Sequence, residues 1–274
     1  MAIDRIYLAR HGYRMNWVTE DWVSVTGTAR DPPLAPYGLS QAKELADFFI
    51  SLPEEERPTI VLSSPYHRCL QTAQPTAEAL KLPIYVEHGL SEWYSPAAPG
   101  TGLHPRPGQA TDLRTHVPEI SDDWQSIFYP TRKGEDAPEM HDRSHDFLRA
   151  LIPTVEHKYG GKHQRILLVS HAAPIIGLVR VLVDNRALPL RVGTCSITDL
   201  RPRDTLSNAV GNWEAIKLAD SSHLEEGALR DWGFEDAVYI DGKVINHHGE
   251  PGTENEKDEP VGLQVHLLPP GFQA

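Results

Sequence analysis

Short apolar runs punctuate the chain, each ending at a polar residue or a glycine. They are Ile6 to Ala9, Ile60 to Leu62, Pro83 to Val86 and Ile166 to Val169, with looser runs at Cys195 to Leu200 and Trp213 to Leu218. Runs this short, bounded by turn residues, read as buried strands, although periodicity alone does not separate them from buried helix. Between them the apolar positions change to helical spacing. Ser40 to Ser51 predicts a helix with Leu39, Ala42, Leu45, Ala46 and Phe49 on one face. Tyr66 to Leu80 predicts another, interrupted or kinked at Pro75. Pro138 to Tyr159 predicts a third, bent at Pro153 and stopped by Gly160-Gly161, and Pro174 to Val183 a fourth. Strand and helix thus alternate. The predicted fold is α/β, with a parallel-dominated central sheet and helices on both faces.

Three stretches break the alternation. Residues 18 to 37 form a loop stiffened by Asp31-Pro32-Pro33. Residues 93 to 138 are long, irregular and rich in Pro and Gly, yet contain Trp93, Tyr94, Trp124, Phe128 and Tyr129, so an ordered cap is expected. Residues 249 to 260 are charged and apolar-poor, the composition of a mobile loop, and Val261 to Leu268 could return as an edge strand. The expected organisation is one domain over 1–274, with a cap insertion at 93–138 and a C-terminal extension at 219–274.

Composition narrows the function classes. Across 274 residues, 26 basic and 38 acidic side chains give a net charge of −12. That balance opposes nonspecific binding to a nucleic-acid backbone, so no direct nucleic-acid partner is expected. The apolar runs are far short of a membrane span, and Met1 to Arg5 lacks the basic-then-apolar order of a leader. The expectation is a soluble protein of the cytoplasm or nucleus with no membrane partner. Cys69 and Cys195 could form one disulfide, but no framework of them, and reduced thiols fit better.

The candidate chemistry sits where the strands stop. Arg10, His11 and Arg14 follow the first strand, Arg68 the second and Glu92 the third, while His171 ends the strand at 165–170. If these strands are parallel neighbours, all six groups face one rim, where open α/β sheets bind ligands. Each alone has an ordinary alternative: Arg10 and His11 as polar strand-end residues, Arg68 on an exposed helix face, His171 as a helix cap, Glu92 as a solvated carboxylate. Together they suit a phosphomonoester. Arg10, Arg14, Arg68 and a protonated His171 would hold the phosphate dianion, and His11 would attack in line to give a phosphohistidine. Glu92 would protonate the leaving oxygen, its pKa raised by burial beside Trp93. Asn16 is a further expected substrate contact. No cofactor or metal is required. His141 and His145 have zinc-ligand spacing but no third ligand nearby, so a solvated helix face is expected, as for His247-His248. No glycine loop of the nucleotide-binding kind is present.

These residues carry a family resemblance. Arg10-His11-Gly12, "DPPLAPYGLSQA" at 31–42, "SSPYHRCLQTA" at 63–73, "GLSEW" at 89–93 and "LLVSHAAP" at 167–174 together resemble the histidine phosphatase superfamily, also called phosphoglycerate-mutase-like. The likeness runs from residue 3 to about residue 218. It implies His11 as nucleophile, Arg10, Arg68 and His171 as phosphate ligands, and Glu92 as proton donor. Where the mutases usually carry an acidic residue and a serine, this chain has Tyr13 and Arg14, which speaks against mutase activity. Arg14 resembles the extra phosphate-binding arginine of the ubiquitin-associated and SH3-domain phosphatases. "IYLARHGYRMNW", "QAKELA" and "SEWY", with a weaker likeness from Leu224 through Trp232 and Phe234, are similar to the fungal histidine-phosphatase domains of the transcription factor IIIC tau subunit and their stand-alone relatives. That likeness implies two alternatives: a phosphatase, or an assembly subunit partnered by other IIIC subunits.

Overall fold

The computed structural model describes residues 3–160, 164–204, 210–240 and 243–272. In chain order the main elements begin with β1 (Ile3–Arg10), α1 (Pro36–Ser51), β2 (Ile60–Ser63), α2 (His67–Leu80) and β3 (Ile84–Val86). A one-turn helix α3 (Ala110–Leu113) and a short strand β4 (Phe128–Tyr129) follow, then α4 (Ala137–Tyr159), β5 (Gln164–Ser170) and α5 (Ala172–Leu182). The chain continues with β6 (Ile197–Pro202), β7 (Trp213–Asp220), β8 (Tyr239–Ile240), β9 (Lys243–Val244) and β10 (Gly262–Leu263).

The central sheet has the order β3-β2-β5-β1-β6-β7. Its β3-β2-β5-β1 part is parallel, while β6 and β7 are added antiparallel. Alternation along each strand decides the two cores. Ile6, Leu8, Ile60, Leu62, Ile166 and Leu168 pack with α4 and α5 residues such as Phe147, Leu151 and Ile176. The intervening Tyr7, Ala9, Val61, Leu167 and Val169 pack with Leu45 and Phe49 of α1 and Leu70 and Ala73 of α2. Both faces are therefore covered, and the parallel strands need apolar residues at every position. The parallel register places Arg10 opposite Ser170 and Ser63 opposite Val169, so these strands stop together at one rim.

Several sequence expectations need correction. Helix α1 starts four residues earlier than expected, because Pro36 takes a first-turn position where its missing N–H costs nothing. Leu39 is 46% exposed, and the buried stripe runs instead through Gly38, Gln41, Ala42, Leu45, Ala46 and Phe49. Neither Pro75 nor Pro153 interrupts its helix. Helix α4 starts at a reciprocal cap, with Asp136 accepting from the Glu139 N–H and Glu139 from the Asp136 N–H. Its C-cap is Gly160, and Gly161 lies outside the described residues.

The tail differs most. Residues 249–260 are docked, not loose: Asp258 accepts from Arg106, Thr131 and the Arg132 N–H. Of 261–268, only Gly262–Leu263 forms a strand, and it pairs with β4 outside the central sheet. His141 is buried against Phe234, bonded through Nδ1 to the Ala137 carbonyl and facing Arg180, so it is no solvated helix residue. His145 is exposed beside Asp146. Both cysteines are free and buried. Among the described residues no helix is long and apolar enough to cross a membrane.

Candidate active site

A close backbone contact fixes the turn after β1. A Cβ on Gly12 would lie 2.7 Å from the Gly38 carbonyl oxygen, and one on Gly38 would lie 2.2 Å from the Tyr13 carbonyl oxygen. Only glycine at both places lets α1 press against this turn. The Gly12 N–H bonds Thr72 of α2 at 3.0 Å, and the His11 N–H bonds the Ser170 carbonyl at 3.0 Å. The His11 side chain is 1% exposed and its Nδ1 lies 2.8 Å from the Gly12 carbonyl oxygen. A carbonyl only accepts, so Nδ1 carries the proton and Nε2 keeps its lone pair. Burial first, then Arg68, Arg10 and His171, hold the imidazole well below its ordinary pKa, so it is neutral.

His171 begins where β5 ends, with its ring centroid 5.4 Å from that of His11. Its Nε2 is 2.8 Å from Ser64 Oγ at the end of β2, while Nδ1 is 3.2 Å from Arg68 and 3.3 Å from Glu92 Oε2. Burial and Arg68 outweigh Glu92 and bring His171 down to about 4. His171 is thus held neutral, not in the protonated form expected from the sequence. Glu92 differs from expectation more sharply. Burial does push its carboxyl up, but His171, Arg68 and Arg14 overcome that and hold it well below the usual carboxylate range.

The arginines are held in three different ways. Arg68 donates to Asp31 Oδ1 at 3.0 Å and to Glu92 at 3.3 Å, and stacks over Tyr66. The other Asp31 oxygen accepts the His67 N–H at 2.7 Å, which ties the start of α2 to the same carboxylate. Arg10 donates to the Val192 and Arg230 carbonyls. Arg14 has neither a carboxylate nor a carbonyl partner among the described residues and lies over Trp17. Burial and the neighbouring Arg68 lower Arg10 to about 10 and Arg14 to about 9. Both stay charged at neutrality. Arg68, paired with Asp31 and Glu92, is instead raised, and the Nε atoms of all three arginines are buried without a partner. Orphaned buried donors of one sign point to an anion. His11, Glu92 and His171 present ligand atoms within 4.8 Å of one another, close enough for a metal on distance alone, but the guanidiniums facing that space oppose a cation.

A cavity of about 450 Å³ is lined at its base by Arg10, His11, Arg14 and Glu92, whereas Arg68 and His171 are not among its lining residues. Its walls are Trp93 and, from the tail, Trp232, Val238, Val244, Ile245 and His247. Asn16 is exposed on the single 3₁₀ turn Met15–Trp17 and is absent from the lining. Asp31, Ser64 and the tail wall are site parts beyond the residues expected from the sequence. Asp31 stood inside a quoted motif and Ser64 at a strand end, so both had a local signal. Val238 and Ile245 had none.

Residues 6–214 match the family model of the histidine phosphatase superfamily (branch 1). The transcription factor tau 55 kDa subunit of Saccharomyces cerevisiae is 40% identical over 263 residues, which cover 86% of this chain but 59% of that protein. Among solved structures, the ecdysone phosphate phosphatase from Bombix mori, in complex with tungstate, aligns with a TM-score of 0.61 at 17% identity, over 78% of this chain and 92% of that one. A mycobacterial glucosyl-3-phosphoglycerate phosphatase aligns with a TM-score of 0.52 at 19% identity, over 80% of this chain and 100% of that one. At such identities these two speak for a shared fold.

Proposed function

The chain belongs to the histidine phosphatase superfamily, and on that premise we propose that it hydrolyses phosphomonoesters through a phosphohistidine on His11, without a metal. The observation that carries the reading is the Nδ1 bond to Gly12, which leaves a buried, neutral Nε2 lone pair beside three guanidiniums with free donors. Arg10, Arg14 and Arg68 would receive the phosphate, and its charge would draw a proton onto His171. His11 Nε2 attacks phosphorus; the P–N bond forms, the ester P–O bond breaks, and the leaving oxygen takes a proton that the substrate monoanion has passed to Glu92. Water then attacks phosphorus and gives a proton to Glu92; the new P–O bond forms as the P–N bond breaks, His11 Nε2 recovers its lone pair, and inorganic phosphate leaves. Most of the catalysis is positioning and charge stabilisation by the cage.

His11→Ala is expected to abolish turnover of para-nitrophenyl phosphate in EDTA-containing buffer, with the fold retained by circular dichroism. Wild-type protein quenched during turnover should carry acid-labile phosphate on His11. A near wild-type rate in the alanine variant would overturn the assignment.

The identity to the tau 55 kDa subunit favours a second reading: an assembly subunit of the RNA polymerase III factor IIIC, with the phosphatase site retained but secondary and a nuclear location. Affinity purification from the source cell separates the two. Co-purifying IIIC subunits support assembly, and a monomer active on phosphomonoesters supports the enzyme. The cage itself argues for catalysis, because a scaffold has no use for buried guanidiniums with empty donors.

A further inference from the structure

Arg14 poses a physical problem. It is half-buried with its Nε fully enclosed, sits among other cations, and among the described residues has no carboxylate or carbonyl holding its side chain. Its guanidinium carbon lies 4.2 Å from the centroid of the Trp17 ring. The same indole lies 5.8 Å from the guanidinium carbon of Arg10 and 5.5 Å from that of Arg230. Its ring is 6.2 Å from the His11 ring and 5.0 Å from Tyr13, the latter edge-on. Three guanidiniums and the proposed nucleophile thus surround one indole, which does not itself line the cavity.

The local fold explains how it gets there. The chain leaves Arg14 in an extended conformation and enters a 3₁₀ turn, with the Trp17 N–H bonded to the Arg14 carbonyl. Side chains at i and i+3 eclipse in a 3₁₀ turn, so residue 17 falls over residue 14. Tryptophan offers the strongest ring face for a cation, and the attraction grows as water is excluded.

We infer that Trp17 is a positioning residue for the phosphate site: its indole face holds Arg14 aimed into the cavity before any anion arrives, in place of a carboxylate. Arg68 is held by carboxylates, which take up two of its donors, whereas the indole engages only the face of the Arg14 guanidinium. The ring holds the cation without occupying its donors. This inference rests on the phosphatase reading.

The test is a double-mutant cycle read by calorimetric titration with inorganic orthovanadate and by kcat/KM on para-nitrophenyl phosphate. Trp17→Leu, which keeps apolar bulk without a ring face, should weaken both by roughly tenfold. Trp17→Phe should recover most of the loss, and it covers the case in which the leucine variant fails to fold. In an Arg14→Ala background the leucine change should cost nothing further. An equal loss in both backgrounds, or no loss in the wild-type background, overturns the inference while leaving the phosphatase reading intact. Wild-type protein that neither binds orthovanadate nor turns over substrate sinks both readings together.

Discussion

Glu92 and His171 approach to 3.3 Å, and that contact sets the protons of the empty site. Neighbouring cations keep Glu92 ionised, and burial keeps His171 neutral above about pH 4. The acid required for an alkoxide leaving group is therefore not loaded in the free enzyme at neutral pH. A phosphomonoester loses its second proton near pH 6, so below that pH the substrate monoanion brings one proton that Glu92 can take up. Above about pH 6 that form of the substrate falls tenfold per unit, and kcat/KM for an alkyl phosphate should fall with the same slope. Aryl phosphates need little protonation and should show a shallower decline. Glu92→Gln should hurt the alkyl substrate far more than the aryl one, and equal losses would remove Glu92 from the acid role. The sequence predicts burial of Glu92 beside Trp93, whereas its side chain keeps 21% exposure, and the balance of neighbours was not legible at all. That balance depends on distances across β2, β3 and β5, which no local pattern encodes.

The same contrast holds between elements. The parallel strands were legible because burial on both faces leaves an uninterrupted apolar run, and the cage was legible because such strands end at one rim. The wall of the cavity was not legible. Trp232 to His247 carry no period, and their place depends on partners far away in the chain. Trp232 pairs through its backbone with Val192, His247 with residues 96–98, and Ile245 accepts from Ser95. Arg191 adds an ion cluster, reaching Asp231 and Glu235 at 2.6 Å and Asp236 at 2.7 Å. These groups are exposed, so salt screens the cluster. Arg191→Ala should speed hydrogen exchange at the amides of 231–236 and raise KM for a bulky aryl phosphate several-fold, with orthovanadate affinity unchanged. Wild-type protein at about 1 M salt should move the same way, since the screening length is then only about 3 Å. If exchange at 231–236 does not change, the backbone pairing with Val192 holds the wall by itself.

At the scale of the whole molecule, a chain of net charge −12 encloses three clustered guanidiniums, of which, among the described residues, only Arg68 is paired with carboxylates. An anion bound beside Arg10 and Arg14 would favour their charged forms, so ligand and stability would be linked. Inorganic phosphate at about a hundred times its Kd should stabilise the fold by roughly 2.7 kcal/mol, raising Tm by about 5–10 °C. Arg14→Ala should shrink the shift, and chloride at equal ionic strength should not reproduce it. A Tm indifferent to phosphate would mean that the cage is not an oxyanion site.

The order of these parts along the chain has a consequence of its own. Every group proposed for the chemistry lies between residues 10 and 171, whereas most of the apolar wall comes from residues 232 to 247. Changes in the tail can therefore accumulate without touching the reacting atoms. Two descendants of one gene could keep identical chemistry yet diverge in diet, each admitting its own esters, because selection can revise the doorway while the hearth stays as it was.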